Sequence, residues 1–305
     1  MDETLEKELE VGTFACVSCG GDLKYKPGTT SLTCEHCGTE NEIPQIDGDF
    51  EELDFHEYLA NKSQSENTLK ENFVKCHNCG ATSSLEPHVT SASCPYCSTS
   101  LVIEECKEES IIQPKALLPF HLDKEAAKGR FKKWVSKLWF APRDLKKASL
   151  NFDHFKGIYI PYWTYDSDTF TRYTGQRGVH YYVTESYTTT ENGKTVTRTR
   201  QVQKTRWYPA SGSVSEFFDD VLVTATESLP RKYIYKLEPW DLENLVPFEK
   251  SYLSGFITEK YQIDLESGFE IAKDIMEPQI KALIRRDIGG DVQRIISKRT
   301  NYDDI

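Results

Sequence analysis

The chain has 305 residues, 38% of them hydrophobic and 12% aromatic, with a formal net charge of −11. That composition predicts two or three folded domains and excludes a disordered protein. No stretch approaches the ~18 consecutive apolar residues that a membrane span needs, and no apolar signal segment opens the sequence, so the expectation is a soluble cytoplasmic protein with reduced thiols.

The charge is uneven. Residues 1–114 carry 22 acidic and 7 basic side chains, whereas the remainder carries 26 and 30. Within the acidic part a cysteine grid occurs twice. Cys16, Cys19, Cys34 and Cys37 read C-x2-C-x14-C-x2-C, and Cys76, Cys79, Cys94 and Cys97 repeat the spacing. Two residues between thiolates let one tight turn aim both sulfurs at one ion, and two such knuckles complete a tetrahedron suited to Zn(II). Gly20, Gly38 and Gly80 directly follow three of the knuckles, and Ser98 follows the fourth. Two structural Zn(II) ions are therefore expected. Disulfides would need an oxidising compartment, and a mononuclear iron site would use the same knuckles. Four thiolates leave no open coordination position for catalysis. Each ribbon is too small for an adequate core, so metal binding supplies much of its folding energy. Cys106 lies outside both grids and reads as a packed free thiol.

In chain order, residues 1–10 form an acidic tail. Zinc ribbon 1 covers 12–45, with short strands at Asp22–Tyr25 and Ser31–Thr33 around a Pro27-Gly28 turn. An acidic linker follows over 46–72, with Phe50, Leu53, Phe55, Tyr58 and Leu59 giving a short helical stripe that docks on the protein itself. Zinc ribbon 2 covers 73–106.

A different composition starts at Ile111 and predicts a β-rich α+β domain over 111–305. Pro114 and Pro119 hold the entry segment extended. Asp123 is a candidate N-cap for a first long helix over 124–140. Ala127, Phe131, Trp134, Val135, Leu138 and Trp139 form one face of it, and Lys128, Arg130, Lys132, Lys133 and Lys137 fill the other. Lys156–Asp166 reads as a strand. Strand signals continue to about Pro209, and Asn192-Gly193 marks a tight hairpin turn. Beyond the turn, Val196, Arg198, Arg200, Val202, Lys204 and Arg206 alternate with Thr195, Thr197, Thr199, Gln201, Gln203, Thr205 and Trp207. Neither face is strongly apolar, so a two-stranded hairpin arm is expected to project from the core. A short helix is expected at Leu229–Leu237. The second long helix is expected at Glu266–Arg286, with Phe269, Ile271, Ile275, Met276, Ile280 and Leu283 as its stripe and Gly289-Gly290 as its stop. The phrases Leu118-Pro119-Phe120 and Val246-Pro247-Phe248 each precede one long helix. This layout predicts a duplicated α+β unit whose last strand lies beyond Ile305, the chain being a piece of a longer protein.

The double ribbon is followed by LLPFHLDKEAAKGRFKKWVSKLWFAP, KGIYIPYWTYD, RWYPASGSV and RRDIGGD. Together these phrases resemble a group of bacterial double zinc-ribbon proteins, described as TFIIB-type zinc-ribbon proteins or grouped with the primosomal replication helicase. The resemblance covers nearly the whole chain. It implies that the eight grid cysteines are zinc ligands. It also implies an accessory protein, since some members are found with phage-shock and flotillin-like membrane-stress proteins. Membrane contact would then come through such a partner, or through a hydrophobic tail that some relatives carry and this sequence lacks. The G-x-x-x-x-G-K-[ST] phosphate loop of an ATP-driven motor is absent, so helicase activity is not expected.

The leading functional expectation is a non-enzymatic, zinc-binding adaptor that mediates protein–protein contacts at a cytoplasmic site peripheral to the membrane. His121, His154 and His180 show no spacing that suggests a triad or a metal set. The alternative is a nucleic-acid-binding accessory protein that uses the basic helix 124–140 and the hairpin 195–207. Lys132, Lys133, Arg198, Arg200, Lys204 and Arg206 are its candidate contacts to an anionic partner. Phosphate contact is disfavoured at the acidic ribbons. Trp134, Trp139, Tyr181, Tyr182 and Trp207 could stack on bases, but the ordinary place for such side chains is the core.

Overall fold

A computed structural model describes residues 14–45, 53–60, 68–84, 91–102, 107–140, 156–191 and 193–303. The tail 1–10, Phe50, Cys106 and His154 lie outside these residues. The chain is α+β and mostly strand. It divides into two compact units, the first made of Met1–Leu53, Glu57–Tyr162 and Thr224–Asp264, the second of Asp54–His56, Trp163–Val223 and Leu265–Ile305. Residues 111–305 therefore contribute to both units.

The first unit holds both cysteine grids. Strands β1 (Leu23–Tyr25), β2 (Ser31–Cys34) and β3 (Glu40–Glu42) form a three-stranded antiparallel sheet around the first grid. Lys26–Thr30 turns the chain between β1 and β2. Gly28 sits there at φ +77°, and a Cβ on it would lie 2.9 Å from the His121 carbonyl oxygen, so both backbone conformation and space require glycine. In the second grid β4 (Thr68–Lys75) pairs with β5 (Thr82–Ser84) and with β8 (Lys107–Ile112). A separate pair joins β6 (Ser91–Ser93) and β7 (Ser100–Val102).

The body of the first unit is built from short paired segments. β9 (Ala116–Leu117) runs antiparallel to β13 (Val246–Pro247), with Leu117 opposite Val246. The two recurring Pro-Phe phrases thus lie at the same strand pair. β10 (Ile158–Tyr159) runs parallel to β14 (Ile257–Thr258). Helix α1 is Phe55–Ala60, its first two residues belonging to the second unit, and α2 is Lys124–Lys137. The Asp123 carboxylate accepts from the Ala126 amide at 2.7 Å, as an N-cap should. The helix stops at Lys137, short of the expected Phe140. Helix α3 is Arg231–Ile234, and 3-10 turns occupy Leu242–Asn244 and Lys250–Leu253.

The second unit is a three-stranded sheet ordered β12-β11-β15, with β11 spanning Tyr162–Glu191, β12 Lys194–Thr224 and β15 Val292–Asp303. Helix α4 (Leu265–Ile288) contributes Phe269, Ala272, Met276, Ile280, Ile284 and Ile288 to the core. Ile275, expected on that stripe, is 40% exposed, because the buried residues follow a spacing of three and four from Phe269 that passes it by. Phe55 completes this core, its ring 5.1 Å from Phe269 and 6.3 Å from Tyr165. Beneath the helix β11 alternates, burying Tyr165, Ser167, Thr169, Thr171 and Tyr173. Gly289 and Gly290 adopt φ +65° and +78° and end the helix.

Candidate metal centres and basic surfaces

Each grid brings its four sulfurs together, all within 4.8 Å of one another. Sγ–Sγ distances are 3.6 Å for Cys16–Cys37 and for Cys19–Cys34, and 3.5 Å for Cys76–Cys97 and for Cys79–Cys94. A tetrahedron with metal–sulfur bonds of ~2.3 Å has edges of about 3.8 Å, so these cages fit one tetrahedral ion each. The sulfur sets are compatible with tandem ribbons holding two metal ions.

The local backbone explains the cages. In every knuckle the amide four residues on returns to the first cysteine's carbonyl, from Gly20, Gly38, Gly80 and Ser98 at 2.8–2.9 Å. That turn requires a left-handed residue. The three glycines supply it at φ +73° to +79°, and Ser98 adopts it as well, at φ +59°. The cost for a non-glycine residue is about 1–2 kcal/mol.

The thiols are electrostatically unequal. The Thr39 hydroxyl, then its amide, draw Cys37 down to about 6. Thr99 does the same to Cys97, holding it at about 5. Cys79 is pushed up to about 12 by burial and by the sulfurs of Cys97 and Cys94. Crowded sulfurs cannot all ionise without a cation among them, and a bound metal reverses that penalty.

The two grids are seated differently on the body of their unit. Ribbon 1 joins a hydrophobic cluster in which Cys16, Leu23, Tyr25, Leu32, Cys34 and Ile43 pack with Leu117 and Tyr252. Tyr25 meets Tyr252 edge-on at 5.0 Å, and Phe120 stacks on Phe256 at 4.4 Å. The Tyr25 hydroxyl donates to the Thr29 carbonyl, and the Ser254 hydroxyl donates to the Leu23 carbonyl at 2.6 Å. Ribbon 2 has its own small cluster of Val74, Cys76, Ala81, Cys94 and Leu101. Polar groups attach it. The Tyr96 hydroxyl donates to the buried Glu259 carboxylate at 2.5 Å, and Glu259 also accepts from Ser228. Ser83 bridges Glu259 through the backbone, and Ser84 bonds Thr258. Burial first, then the Glu259 carboxylate, push the Tyr96 phenol up. Sequence reading missed Glu259, for its partner lies 163 residues away.

The candidate basic residues fall into two groups. On the hairpin, Arg198 pairs with Glu191, Lys204 pairs with Glu185 at 2.9 Å, and Arg200 approaches Glu185 at 3.7 Å. Arg206 lies over the Tyr181 ring at 5.1 Å and Arg200 over Tyr187 at 5.6 Å. The cation ladder is thus met by β11. On α2, by contrast, Lys124, Arg130, Lys132, Lys133 and Lys137 have no ion-pair partner among the described residues; only Lys128 pairs, with Glu125. The expectation that the nominated aromatics are core side chains is corrected for four of the five. Trp134 is 54% exposed, Trp139 86% and Tyr182 64%, with Tyr181 also exposed. They lie on a helix flank, on a helix end and on a two-sided arm, where no layer among the described residues covers them. Trp207 is half-buried beneath the Arg294 guanidinium, 3.8 Å from its ring centre. His180 meets the Thr205 hydroxyl, and His121 is exposed.

No family model matches the sequence. No solved structure matches it either. The chain is similar to "Uncharacterized protein YdjG" of Bacillus subtilis (strain 168), with 29% identity over 280 residues that cover 91% of this chain and 74% of that protein.

Proposed function

We propose that this protein is a non-enzymatic adaptor: a body stapled by two structural zinc ions that presents a long β-hairpin arm to a protein partner. Zinc is the natural occupant of four thiolates in a closed tetrahedron, and such a site is structural. The observation that carries the reading is the arm. β15 pairs with β11 only as far as Gly178, so the hairpin runs on toward its Gly193 turn without a third strand among the described residues. One face carries Val179, Tyr181, Val183 and Tyr187 with Val196 and Val202, among cations of which Arg198, Arg200 and Lys204 are met by Glu191 and Glu185 and Arg206 lies over the Tyr181 ring. The other face is uncharged and rich in Thr and Gln. Tyrosine combines contact area with low ordering cost, which suits protein recognition. The three cations met by carboxylates have less to gain from phosphate, which favours a protein over nucleic acid at the arm.

The test is a photo-crosslinking residue placed at Tyr182 or Tyr187 in cells, with Lys236 as the control position. A discrete protein adduct specific to the arm is the expected result. Adducts with nucleic acid alone, or none beyond the control, would count against the reading. Elemental analysis of the purified protein should give two zinc ions per chain; iron would revise the metal.

A further inference from the structure

We infer that the exposed side of α2 and the turn after it dock on an anionic lipid surface, a contact separate from the protein partner proposed for the arm. Helix α2 is held to its unit by one stripe. Val135 is buried, with Ala127, Phe131 and Leu138 half-buried along the same side. Lys133 lies on the opposite side, with Lys137 and Arg130 between it and Trp134; Lys132 flanks the stripe across the helix. All four cations are exposed and without an ion-pair partner among the described residues. Trp134 stands at the edge of this cationic side. Just past the helix end, Trp139 and Phe140 are 86% and 94% exposed, with ring centres 6.5 Å apart.

Two features choose the occupant. The first is charge: a local cluster of four exposed cations without ion-pair partners among the described residues complements an anionic surface. The second is shape. Trp139 and Phe140 project outward instead of lining a groove. A protein partner would need a preformed cavity for each ring, and stacked bases would need a track of aromatics. A lipid headgroup layer deforms around convex aromatic tips, and tryptophan favours that depth. No helix of the described residues is long and apolar enough to cross a membrane, so the contact is interfacial.

The experiment is flotation of the metal-loaded full chain with phosphatidylcholine vesicles, with and without phosphatidylglycerol. Two variants probe the surface, Lys132→Glu with Lys133→Glu and Trp139→Ser with Phe140→Ser. Arg198→Glu with Arg200→Glu on the arm is the control. These positions are exposed, and circular dichroism checks that each variant is folded. Binding should be at least ~10-fold stronger with the anionic lipid and fall at least ~10-fold in both α2 variants, while the arm variant binds normally. Absence of binding, equal binding to neutral vesicles, or binding that survives both α2 variants overturns the inference. So does binding of duplex DNA, but not vesicles, that depends on Lys132 and Lys133; that result would give the surface to nucleic acid. Because the arm is intact in both α2 variants, failure here leaves the adaptor reading untouched.

Discussion

The two cysteine grids have identical spacing and nearly identical sulfur geometry, yet they are coupled to the rest of their unit by different forces. Ribbon 1 shares a hydrophobic core with the body: Tyr25, Leu23 and Ile43 pack in the same cluster as Leu117 and Tyr252. Among the described residues, the buried cluster of ribbon 2 includes no side chain of the body, and hydrogen bonds centred on Glu259 latch it. Apolar burial grows with shared area and gives one cooperative unit, whereas each net hydrogen bond contributes only about 0.5–1.5 kcal/mol. One motif is thus a keystone in one place and an appended module in another, depending on which side chains leave the metal cage.

The largest test of that difference is metal removal, one grid at a time. Structural zinc contributes about 10–16 kcal/mol in isolated finger peptides, far more than any single contact here. Cys16→Ser with Cys34→Ser should unfold ribbon 1 and loosen the aromatic core of Tyr25, Phe120, Tyr252 and Phe256, with loss of near-ultraviolet circular dichroism. Cys76→Ser with Cys94→Ser should release ribbon 2 while most of that signal remains. Equal losses in the two variants would break the comparison.

Single contacts come next. Tyr25→Ala removes a buried aromatic side chain and should cost about 3–5 kcal/mol, read from denaturant unfolding of the metal-loaded protein. Glu259→Gln weakens the latch and should cost less, about 1–3 kcal/mol. Hydrogen exchange should separate them further, with Glu259→Gln speeding exchange in residues 73–102 and leaving 23–43 unchanged. Faster exchange in both ribbons would mean that the latch and the shared core are one unit.

The smallest effect concerns the fourth knuckle. Ser98→Gly relieves the left-handed penalty of about 1–2 kcal/mol but frees the unfolded chain by about 0.5–1 kcal/mol, for a net gain of no more than about 1.5 kcal/mol. Competition with a chelator should therefore show ribbon 2 releasing its metal more slowly. The corresponding Gly80→Ser change should act in the opposite direction by a similar amount.

Much of the local structure was legible in the sequence because it is set by neighbours. Cysteine spacing determined the two sulfur cages. Asp123 determined the start of α2, Gly289-Gly290 the end of α4, and the alternation after Lys194 the strand β12. Each of these is a contact or a backbone preference within a few residues. Only the tertiary structure decided the rest. It placed Trp139 and Phe140 in solvent, matched Arg198, Arg200 and Lys204 of the arm to Glu191 and Glu185, and gave Tyr96 its partner Glu259. Periodicity says that a residue lies on a helix face or a strand face but not whether another layer covers it. Burial and ion pairing depend on segments tens to hundreds of residues away, and no local pattern encodes which of them arrives.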